Sequence, residues 1–525
     1  MALMWMSSTL LFAQNGRSWI IEGDVKDSSG GHVEGADVTV AGPERLPPVA
    51  ADAAGHFVLK GRVSGRYLIS VSKERAAPKS RSVSISPGAH LESIDFQLNK
   101  QAVINGRVLS AEREPVEGAL VIAWIKTFRN GRLALVNAGD ANTNDLGAYR
   151  INGLAEGRYY LGVVPKVLVP RKRLPAPATK ARAMERFTSP LRSAFYPNAP
   201  SFEGAAPVTL RAGGEFEGTD ILLGGGESFC VSATVAAPLE VPVAEVVLQL
   251  FARIGGAFPL VANGQVSPGE ESEVCKLTAG EYTALATSWD PQTKMAAGFF
   301  RMDLVVGKRD VALGTLHLVP GLPLRGRIVI EPAAAQDDGL PGQISVELRR
   351  WGRPLVYGEG LRASVEPSGT FAVTNVFPDS YGLDVDGLPD GYYVRAAVQQ
   401  GRDVRRGPVR LDQGDLSVSL GRDGGAASGE TVDQNKDPVY DAAVIMVPKD
   451  AADGLVVFSA QSDQNGRFEF KSVPPGDYRL AAFTGLFEGE EQDPEFIRAH
   501  LSGAVDISIT PNGSRSVTAA VNRVR

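Results

Sequence analysis

The stretch that decides the fold is Gly466-Arg-Phe-Glu-Phe-Lys-Ser-Val-Pro-Pro-Gly-Asp-Tyr478. It predicts a turn, a strand with alternating apolar residues, a Pro/Gly turn and the beginning of a second strand. An aromatic residue, Phe468, lies ten positions before Tyr478. The same spacing recurs at Phe57 and Tyr67, at Tyr149 and Tyr159, and at Phe371 and Tyr381. A further copy ends at Tyr282 but has Ser272 in the aromatic position, so this copy has diverged.

Each copy is flanked by the same signals in the same order. An apolar-x-Gly-x-apolar strand comes first, a polar turn opened by Asp or Asn precedes the motif, and an alternating strand closes the copy. The first strands are Ile21–Val25, Ile104–Val108 and Leu324–Ile328, with more divergent counterparts at Cys230–Thr234 and Ala427–Thr431. Period-2 alternation indicates strands with one buried face. Because the copies lie roughly 100 residues apart, the repeat unit is a whole domain and not a short solenoid repeat.

These patterns predict an all-β chain of five sandwich domains in tandem, each with roughly seven short strands. We name them modules one to five, and their boundaries are 18–98, 101–224, 227–318, 321–421 and 424–523. The linkers are very short, for example Asn99-Lys100. Short linkers favour an extended string of modules with limited bending.

The motifs carry a family resemblance. The chain has Gly-x-Val at Gly23–Val25, Gly-Ala-x-Val at Gly35–Val38, Asp-x-x-Gly-x-Phe at Asp52–Phe57 and Pro-Gly-x-Tyr at Pro475–Tyr478. This set resembles the carboxypeptidase regulatory-like domain, a transthyretin-like sandwich that is often described as a carbohydrate-binding-like fold, and is similar to collagen-adhesin B-type stalk modules and to starch-binding-like folds. The likeness is best in modules one, two and five and weakest in module three. It implies an accessory or binding role in exported bacterial proteins.

Charge and the N-terminal segment bear on location. The net charge of −6 gives no reason to expect nucleic acid as a partner. Residues 1–17 contain an apolar run that resembles a secretory signal with cleavage after Ala13, although it is short and lacks Lys or Arg. The alternative is an apolar N-terminus with no targeting role. No other segment is apolar over about 18 residues, so no transmembrane segment is predicted.

The two cysteines, Cys230 and Cys275, both fall in module three. An even number confined to one module favours a disulfide in an exported protein. The alternative is a pair of buried free thiols.

Three features are candidates for ligand contact. Module two contains a basic insertion at 166–192, in which Arg171, Lys172 and Arg173 stand together. These cations suit an acidic glycan, a lipid headgroup or a partner protein, and the alternative is a solvated loop. Trp351 follows two arginines at a strand end and is the best exposed aromatic for stacking on a sugar, with core packing as its alternative. The acidic loop at 488–495 in module five lacks Ca²⁺-loop spacing and is expected to be solvated.

Catalytic motifs are missing from the sequence. The five histidines fall in separate turns and strands without a zinc-peptidase pattern, and there is neither a Gly-x-Ser-x-Gly elbow nor a P-loop. We therefore expect no enzymatic activity, no cofactor and no bound metal. The repeated motif tyrosine is expected to bury its ring and hydrogen-bond its hydroxyl at a corner of the sandwich.

The expected function is that of an exported, non-enzymatic scaffold or adhesion protein of the bacterial envelope. Its expected partner is another envelope protein or a polysaccharide. Two alternatives remain open at this point. One is an array of carbohydrate-binding modules, and the other is an accessory subunit of a separate hydrolase or transporter.

Overall fold

The computed structural model describes residues 18–85, 88–92, 94–129, 132–173, 192–237, 245–254, 258–292, 295–331, 340, 344–350, 361–405, 407–450 and 457–525. The signal-like segment at 1–17, most of the basic insertion and Trp351 lie outside these ranges. Strands are the dominant element of the described residues, which include one α-helix, α1 (Pro494–His500). No helix in these ranges has the length and apolarity to cross a membrane.

The strands fall along the chain as follows. Residues 18–98 contain β1 (Trp19–Asp27), β2 (Asp37–Ala41), β3 (Val49–Ala50), β4 (His56–Gly61), β5 (Gly65–Ser72), β6 (Lys79–Ile85), β7 (His90–Leu91) and β8 (Phe96–Leu98). Residues 101–224 contain β9 (Ala102–Ser110), β10 (Leu120–Arg129), β11 (Arg132–Asn142), β12 (Ala148–Leu154), β13 (Gly157–Val164), β14 (Arg171–Lys172), β15 (Ala194–Phe195), β16 (Val208–Leu210), β17 (Glu215–Phe216) and β18 (Ile221–Leu223). Residues 227–320 contain β19 (Phe229–Ala236), β20 (Glu245–Ala252), β21 (Leu260–Val266), β22 (Glu271–Leu277), β23 (Gly280–Trp289), β24 (Ala296–Val306), β25 (Val311–His317) and β26 (Val319–Pro320).

The C-terminal part continues in the same way. Residues 321–421 contain β27 (Leu322–Ile330), β28 (Ser345–Arg350), β29 (Leu361–Ser364), β30 (Thr370–Val376), β31 (Ser380–Asp386), β32 (Tyr393–Gln399), β33 (Arg402–Asp403), β34 (Val409–Arg410) and β35 (Leu416–Gly421). Residues 424–523 contain β36 (Gly425–Val432), β37 (Ala443–Pro448), β38 (Phe458–Gln461), β39 (Arg467–Val473), β40 (Gly476–Thr484), β41 (Val505–Ile509) and β42 (Ser514–Arg523). Short 3₁₀ turns lie at Phe202–Gly204, Leu411–Gln413, Glu490–Gln492 and Leu501–Gly503.

Pairing among these strands stays inside the five ranges, apart from β14, which joins β22 of the next range. The sheets are β4-β1-β7 with β8 on β1, β3-β2-β5-β6, β11-β10-β13-β15 with β16 on β13, β12-β9-β17 with β18 on β9, β14-β22-β19-β25, β21-β20-β23-β24-β26, β30-β27-β35-β32-β33, β29-β28-β31-β34, and β38-β37-β40-β42-β36-β39 with β41 on β40. The all-β sandwich class is therefore confirmed. The division into five separate domains with the boundaries given above stays a prediction.

One arrangement recurs in all five ranges. The first strand pairs antiparallel with the motif strand or its counterpart on one side and parallel with the closing strand on the other. In four of the ranges the glycine of the first strand faces the motif aromatic directly. These cross-strand pairs are Gly23 with Phe57, Gly106 with Tyr149, Gly326 with Phe371 and Gly429 with Phe468.

The close approach of the closing strand explains this glycine. A Cβ on Gly23 would lie 2.2 Å from the carbonyl oxygen of Ile94, and one on Gly429 would lie 1.8 Å from that of Val517. Both distances are far shorter than any van der Waals contact. The position therefore accepts glycine alone, and the aromatic ring covers the space that the missing side chain leaves.

The motif tyrosines form the expected corner. Their rings are buried, and each hydroxyl donates to the carbonyl oxygen four residues earlier. The bonds run from Tyr67 to Val63, Tyr159 to Ala155, Tyr282 to Thr278, Tyr381 to Phe377 and Tyr478 to Pro474, at 2.5 to 3.1 Å. The prediction of a corner tyrosine is confirmed, even in the divergent third copy.

The polar turns are also as expected. The Asp463 carboxylate accepts backbone N–H bonds from Asn465 and Arg467, each at 2.8 Å, and Gly466 has a φ of 71°. Asp52 and Asn144 form the same turns in modules one and two. The turn residue fixes where the motif strand begins and therefore sets its register.

The prediction of an extended string is wrong. Module five contacts modules one and two, from which it is separated by hundreds of residues, through Lys79–Asp441 and Lys126–Asp493 ion pairs. Consecutive modules also share apolar packing, since Phe377 of module four lies among buried module three residues such as Phe251 and Phe299. Short linkers limit the reach of each module but do not prevent the chain from turning back on itself.

Candidate functional site

The acidic loop of module five docks on module two. The Asp493 carboxylate lies 3.2 Å from the ammonium of Lys126, and the Glu490 carboxylate lies 3.6 Å from the guanidinium of Arg158. A Cβ on Gly489, which has a φ of 87°, would lie 3.0 Å from the Lys126 carbonyl oxygen. The expectation of a solvated loop is therefore wrong, because the loop forms part of an interface.

Local sequence shapes this loop for docking. Asp493 caps α1 by accepting the N–H of Glu495 at 2.9 Å, and Pro494 occupies the first helical turn, where its missing N–H costs nothing. Arg525 donates to both carboxylate oxygens of Glu490, at 2.6 and 2.8 Å. Its guanidinium also lies over the Phe487 ring, 3.7 Å from the centroid.

Glu490 is ionised in this setting. Burial alone would raise the pKa of its carboxyl. The hydrogen bonds from Arg525 and from the backbone of Phe487, together with the charges of Arg525 and Arg158, outweigh that effect and lower the pKa below its usual 4.5. The loop therefore carries a fixed negative charge at neutral pH, facing a cation of module two.

A second interface joins modules three and four. The guanidinium of Arg301 lies 3.0 Å from the Asp379 carboxylate, and the two side chains are only 8% and 2% exposed. Beside them the rings of Phe299 and Phe377 lie 5.2 Å apart, and the guanidinium of Arg350 lies 4.7 Å above Phe299. A buried ion pair beside an aromatic cluster favours one orientation of the two modules, because loss of either partner would remove a short contact from a charge that is shielded from water.

A third interface joins modules two and three. It contains the three cations that the sequence suggested as ligand contacts. Arg171 and Lys172 form β14, which extends the sheet of module three by pairing with β22. Arg171 lies 3.2 Å from Glu273, Lys172 lies 2.6 Å from Glu270, and Arg173 pairs with Glu271. Their charges are thus matched within the chain. Their role in contacting an outside ligand stays a prediction.

The cysteines lie beside this interface. Cys230 is on β19 and Cys275 is on the neighbouring β22, and the two are joined by a disulfide. The guanidinium of Arg171 lies 3.6 Å from the Cys275 sulfur. In the described residues Cys230, Cys275 and Glu273 form a group with ligand atoms within 4.8 Å of one another. Because the sulfurs are bonded to each other, this group offers no thiolate to a metal.

Two histidines that are far apart in sequence approach the same carboxylate from opposite sides in module one. His56 on β4 and His90 on β7 flank Glu22 on the central strand β1. Sequence reasoning separated them, because each stands in a different turn or strand without a local ligand pattern. The alternation in β1 marks Glu22 as outward-facing, but the order of the strands is needed to bring the histidines to it.

The tryptophans give no exposed sugar platform in the described part of the chain. Trp124 is 9% exposed and packs with Phe195 and Phe202. Trp289 ends β23 and is half-buried. The best sequence candidate, Trp351, falls outside the described residues, so its contact with a ligand stays a prediction.

The fold and these interfaces define a tandem β-sandwich protein. Residues 20–99 match the family model of the carboxypeptidase regulatory-like domain, in agreement with the resemblance seen in the motifs. No curated protein matches the sequence.

Several solved structures are similar in part. The Bacillus anthracis TIE protein shares 11% identity over 78% of this chain and 69% of its own, with a TM-score of 0.16. BcpA, the major pilin subunit of Bacillus cereus, shares 11% over 80% of this chain and 99% of its own, with a TM-score of 0.15. A streptococcal ancillary pilin shares 13% over 56% and 99%, with a TM-score of 0.17. Likenesses at such TM-scores support no inference about what this chain binds or builds.

Proposed function

We propose that the chain is an exported, non-enzymatic scaffold that presents a fixed surface to another protein or to a polymer of the cell envelope. The regulatory-like domain in module one supports an accessory role. The interfaces support the scaffold, because they hold modules in defined positions relative to one another.

The docking of the acidic loop on module two carries the proposal. It joins segments of the chain that are more than 300 residues apart in sequence. Loops that are free to reach an outside ligand are expected to be exposed and mobile. Here the acidic loop is used inside the chain, which favours a frame, in which the modules hold fixed positions relative to one another, over five independent binding units.

The frame can be opened at the contact between modules two and five by substitutions that lie outside the module cores. Charge reversal in Lys126→Glu/Arg158→Glu places like charges opposite Asp493 and Glu490. The matched control is Lys308→Glu/Arg309→Glu, which reverses two exposed cations in the turn between β24 and β25. Full-length chains carrying a photoactivatable cross-linker would be mixed with envelope membranes and, separately, with purified envelope polysaccharide.

We expect the wild-type and control chains to cross-link to one and the same partner, and the opened variant to lose it at least tenfold. Equal capture by the opened variant would contradict a function that depends on the frame. Binding to purified polysaccharide that is abolished by Trp351→Ala would favour the carbohydrate-binding alternative. Capture of nothing by any of the chains would overturn the proposal.

A further inference from the structure

The disulfide of module three lies beside the strand that module two contributes to its sheet. Cys230 on β19 and Cys275 on β22 are joined to each other, and both residues are partly exposed. On its other side β22 pairs with β14 of module two, at Arg171 and Lys172. The disulfide is therefore within reach of a reagent in solution, and part of its surroundings comes from another module.

A hydrogen-bonded ladder joins the two strands that the disulfide connects. β19 and β22 are antiparallel neighbours, with paired residues on both sides of the cysteines. The register shifts between Phe229 and Val231, so Cys230 lies at a β-bulge, and Lys276 on β22 has a φ of 69°. Bulges are frequent next to functional sites. Because the ladder remains, the disulfide can open without separating the strands.

Cations of β14 lie against this region. The guanidinium of Arg171 places Nε 3.2 Å from the Glu273 carboxylate and Nη2 3.6 Å from the sulfur of Cys275. A second guanidinium, that of Arg173, donates to the hydroxyl of Ser232 on β19 at 3.1 Å. Since the two contacts of Arg171 use different nitrogens, it can pair with the carboxylate and also stabilise a negative charge on the Cys275 sulfur.

The carboxylates around the disulfide do not cancel this preference. The Glu273 carboxylate lies within 4.8 Å of both sulfurs, so it disfavours a thiolate on either of them. The Asp310 carboxylate accepts the backbone N–H of Cys230 at 2.9 Å and therefore disfavours negative charge on the Cys230 side. Arg171 contacts the sulfur of Cys275. Of the two sulfurs, that of Cys275 is thus the better place for a negative charge.

We propose that the Cys230–Cys275 disulfide is a site of thiol–disulfide exchange with aliphatic thiols, in which Cys275 is the leaving sulfur. An incoming thiolate attacks the sulfur of Cys230 and forms a new S–S bond there. The bond between the two cysteines breaks, and its electron pair stays on Cys275 as a thiolate beside Arg171. Exchange is faster when the leaving thiolate is better stabilised. The product is a mixed disulfide on Cys230, and this chemistry does not depend on the scaffold function.

The order of labelling in the wild type tests this directly. The full-length chain would be exposed briefly to 2-mercaptoethanol at neutral pH and quenched with excess N-ethylmaleimide. Peptide mass spectrometry without reduction then locates both adducts. We expect the mixed disulfide on Cys230 and the maleimide on Cys275, in at least tenfold excess over the reverse arrangement.

A pair of variants separates stabilisation of the thiolate from a structural role of β14. Arg171→Gln is expected to slow the exchange about tenfold and to reduce the preference for Cys230. The matched control is Lys172→Gln, which removes the neighbouring cation of β14 and its 2.6 Å contact with Glu270. Side chains alternate along a strand, so Lys172 points away from the face that carries Arg171, and this variant is expected to exchange like the wild type.

Four results would overturn the proposal. They are a folded wild type whose disulfide does not react with the thiol, a mixed disulfide that forms equally on both cysteines or mainly on Cys275, an Arg171→Gln variant that exchanges as fast as the wild type, and a Lys172→Gln variant that is slowed as much as Arg171→Gln.

Discussion

The glycine, aromatic residue and tyrosine that recur in the copies of the motif have steric and hydrogen-bonding roles. The glycine of the first strand in modules one, two, four and five is required where the closing strand passes close by, and the facing aromatic fills the space above it. The corner tyrosine satisfies a carbonyl at the Pro/Gly turn, as Tyr478 does for Pro474 at 2.6 Å. Burial raises the pKa of Tyr478 to about 12, as expected for a phenol held in its neutral, donating form.

The steric requirement for glycine on the first strand predicts that adding one methyl group there lowers the free energy of unfolding strongly. In Gly429→Ala the new Cβ would meet the Val517 carbonyl oxygen at 1.8 Å and the Phe468 ring at 2.9 Å. Strand separation would have to increase, and we expect a loss of about 2–3 kcal/mol in the free energy of unfolding. The control Gly503→Ala, with nothing within 4 Å of the added atom, is expected to change it by less than about 0.5 kcal/mol. Urea unfolding measures the free energy of unfolding of both variants, and equal losses in the two would contradict this steric requirement.

Elements that differ between copies form the interfaces. The acidic loop with α1, the β14 segment and the strands around Phe299 each join two modules. The acidic loop and the β14 segment are additions to the common sandwich, whereas Asp379 lies in the turn of the repeated motif itself. Divergence from the repeat therefore marks part of the surface by which modules are held together, and it need not mark a site for an outside ligand.

The buried ion pair between modules three and four predicts that removing one of its charges costs more stability than removing both. In Asp379→Ala the buried Arg301 guanidinium would lose this carboxylate and would keep Asp303, which lies 3.1 Å away and is partly exposed. We expect a loss of about 3 kcal/mol from the transition that includes modules three and four. Arg301→Met/Asp379→Leu removes both charges and is expected to cost much less, because no charge is left uncompensated. Thermal unfolding of the two variants decides, and a costlier double variant would refute the account of this pair.

The acidic loop predicts a response to acid. Its carboxylate at Glu490 has a pKa lowered below 4.5, chiefly by Arg525 once the opposing effect of burial is overcome. A pKa that is lowered in the folded state means that the contribution to stability is complete above about 4.5 and is lost as pH falls through the lower, folded-state value. Because Arg525 and Phe487 belong to module five itself, we expect acid to lower the free energy of unfolding of this module, as measured by urea unfolding at a series of pH values below 4.5. Glu490→Gln should remove most of this dependence, and an unchanged acid response in that variant would contradict it.

At the scale of the whole molecule, sequence reasoning recovers the β-sandwich class but not how the sandwiches are arranged. The sandwich class, the corner tyrosine at Tyr478 and the turn at Asp463 follow from local patterns, because turn chemistry and strand alternation act over a few residues. The ion pair between Lys126 and Asp493 depends on how modules are oriented in space. No local pattern encodes that orientation, so the short linkers led to the wrong prediction of an extended string of modules. The histidine cluster around Glu22 was missed for the same reason, since it depends on strand order.

The central claim is that modules far apart in sequence are held together by ion pairs, and zero-length carbodiimide cross-linking of the full chain tests it most directly. This reagent joins amines to carboxylates that are already in contact. The account predicts amide links between Lys126 and Asp493 and between Lys79 and Asp441, which lie at 3.2 and 2.7 Å. Lys449 and Asp506, a pair within module five at 2.8 Å, serve as the internal control. Recovery of the control link without either inter-module link, by peptide mass spectrometry, would contradict the frame and favour an extended chain.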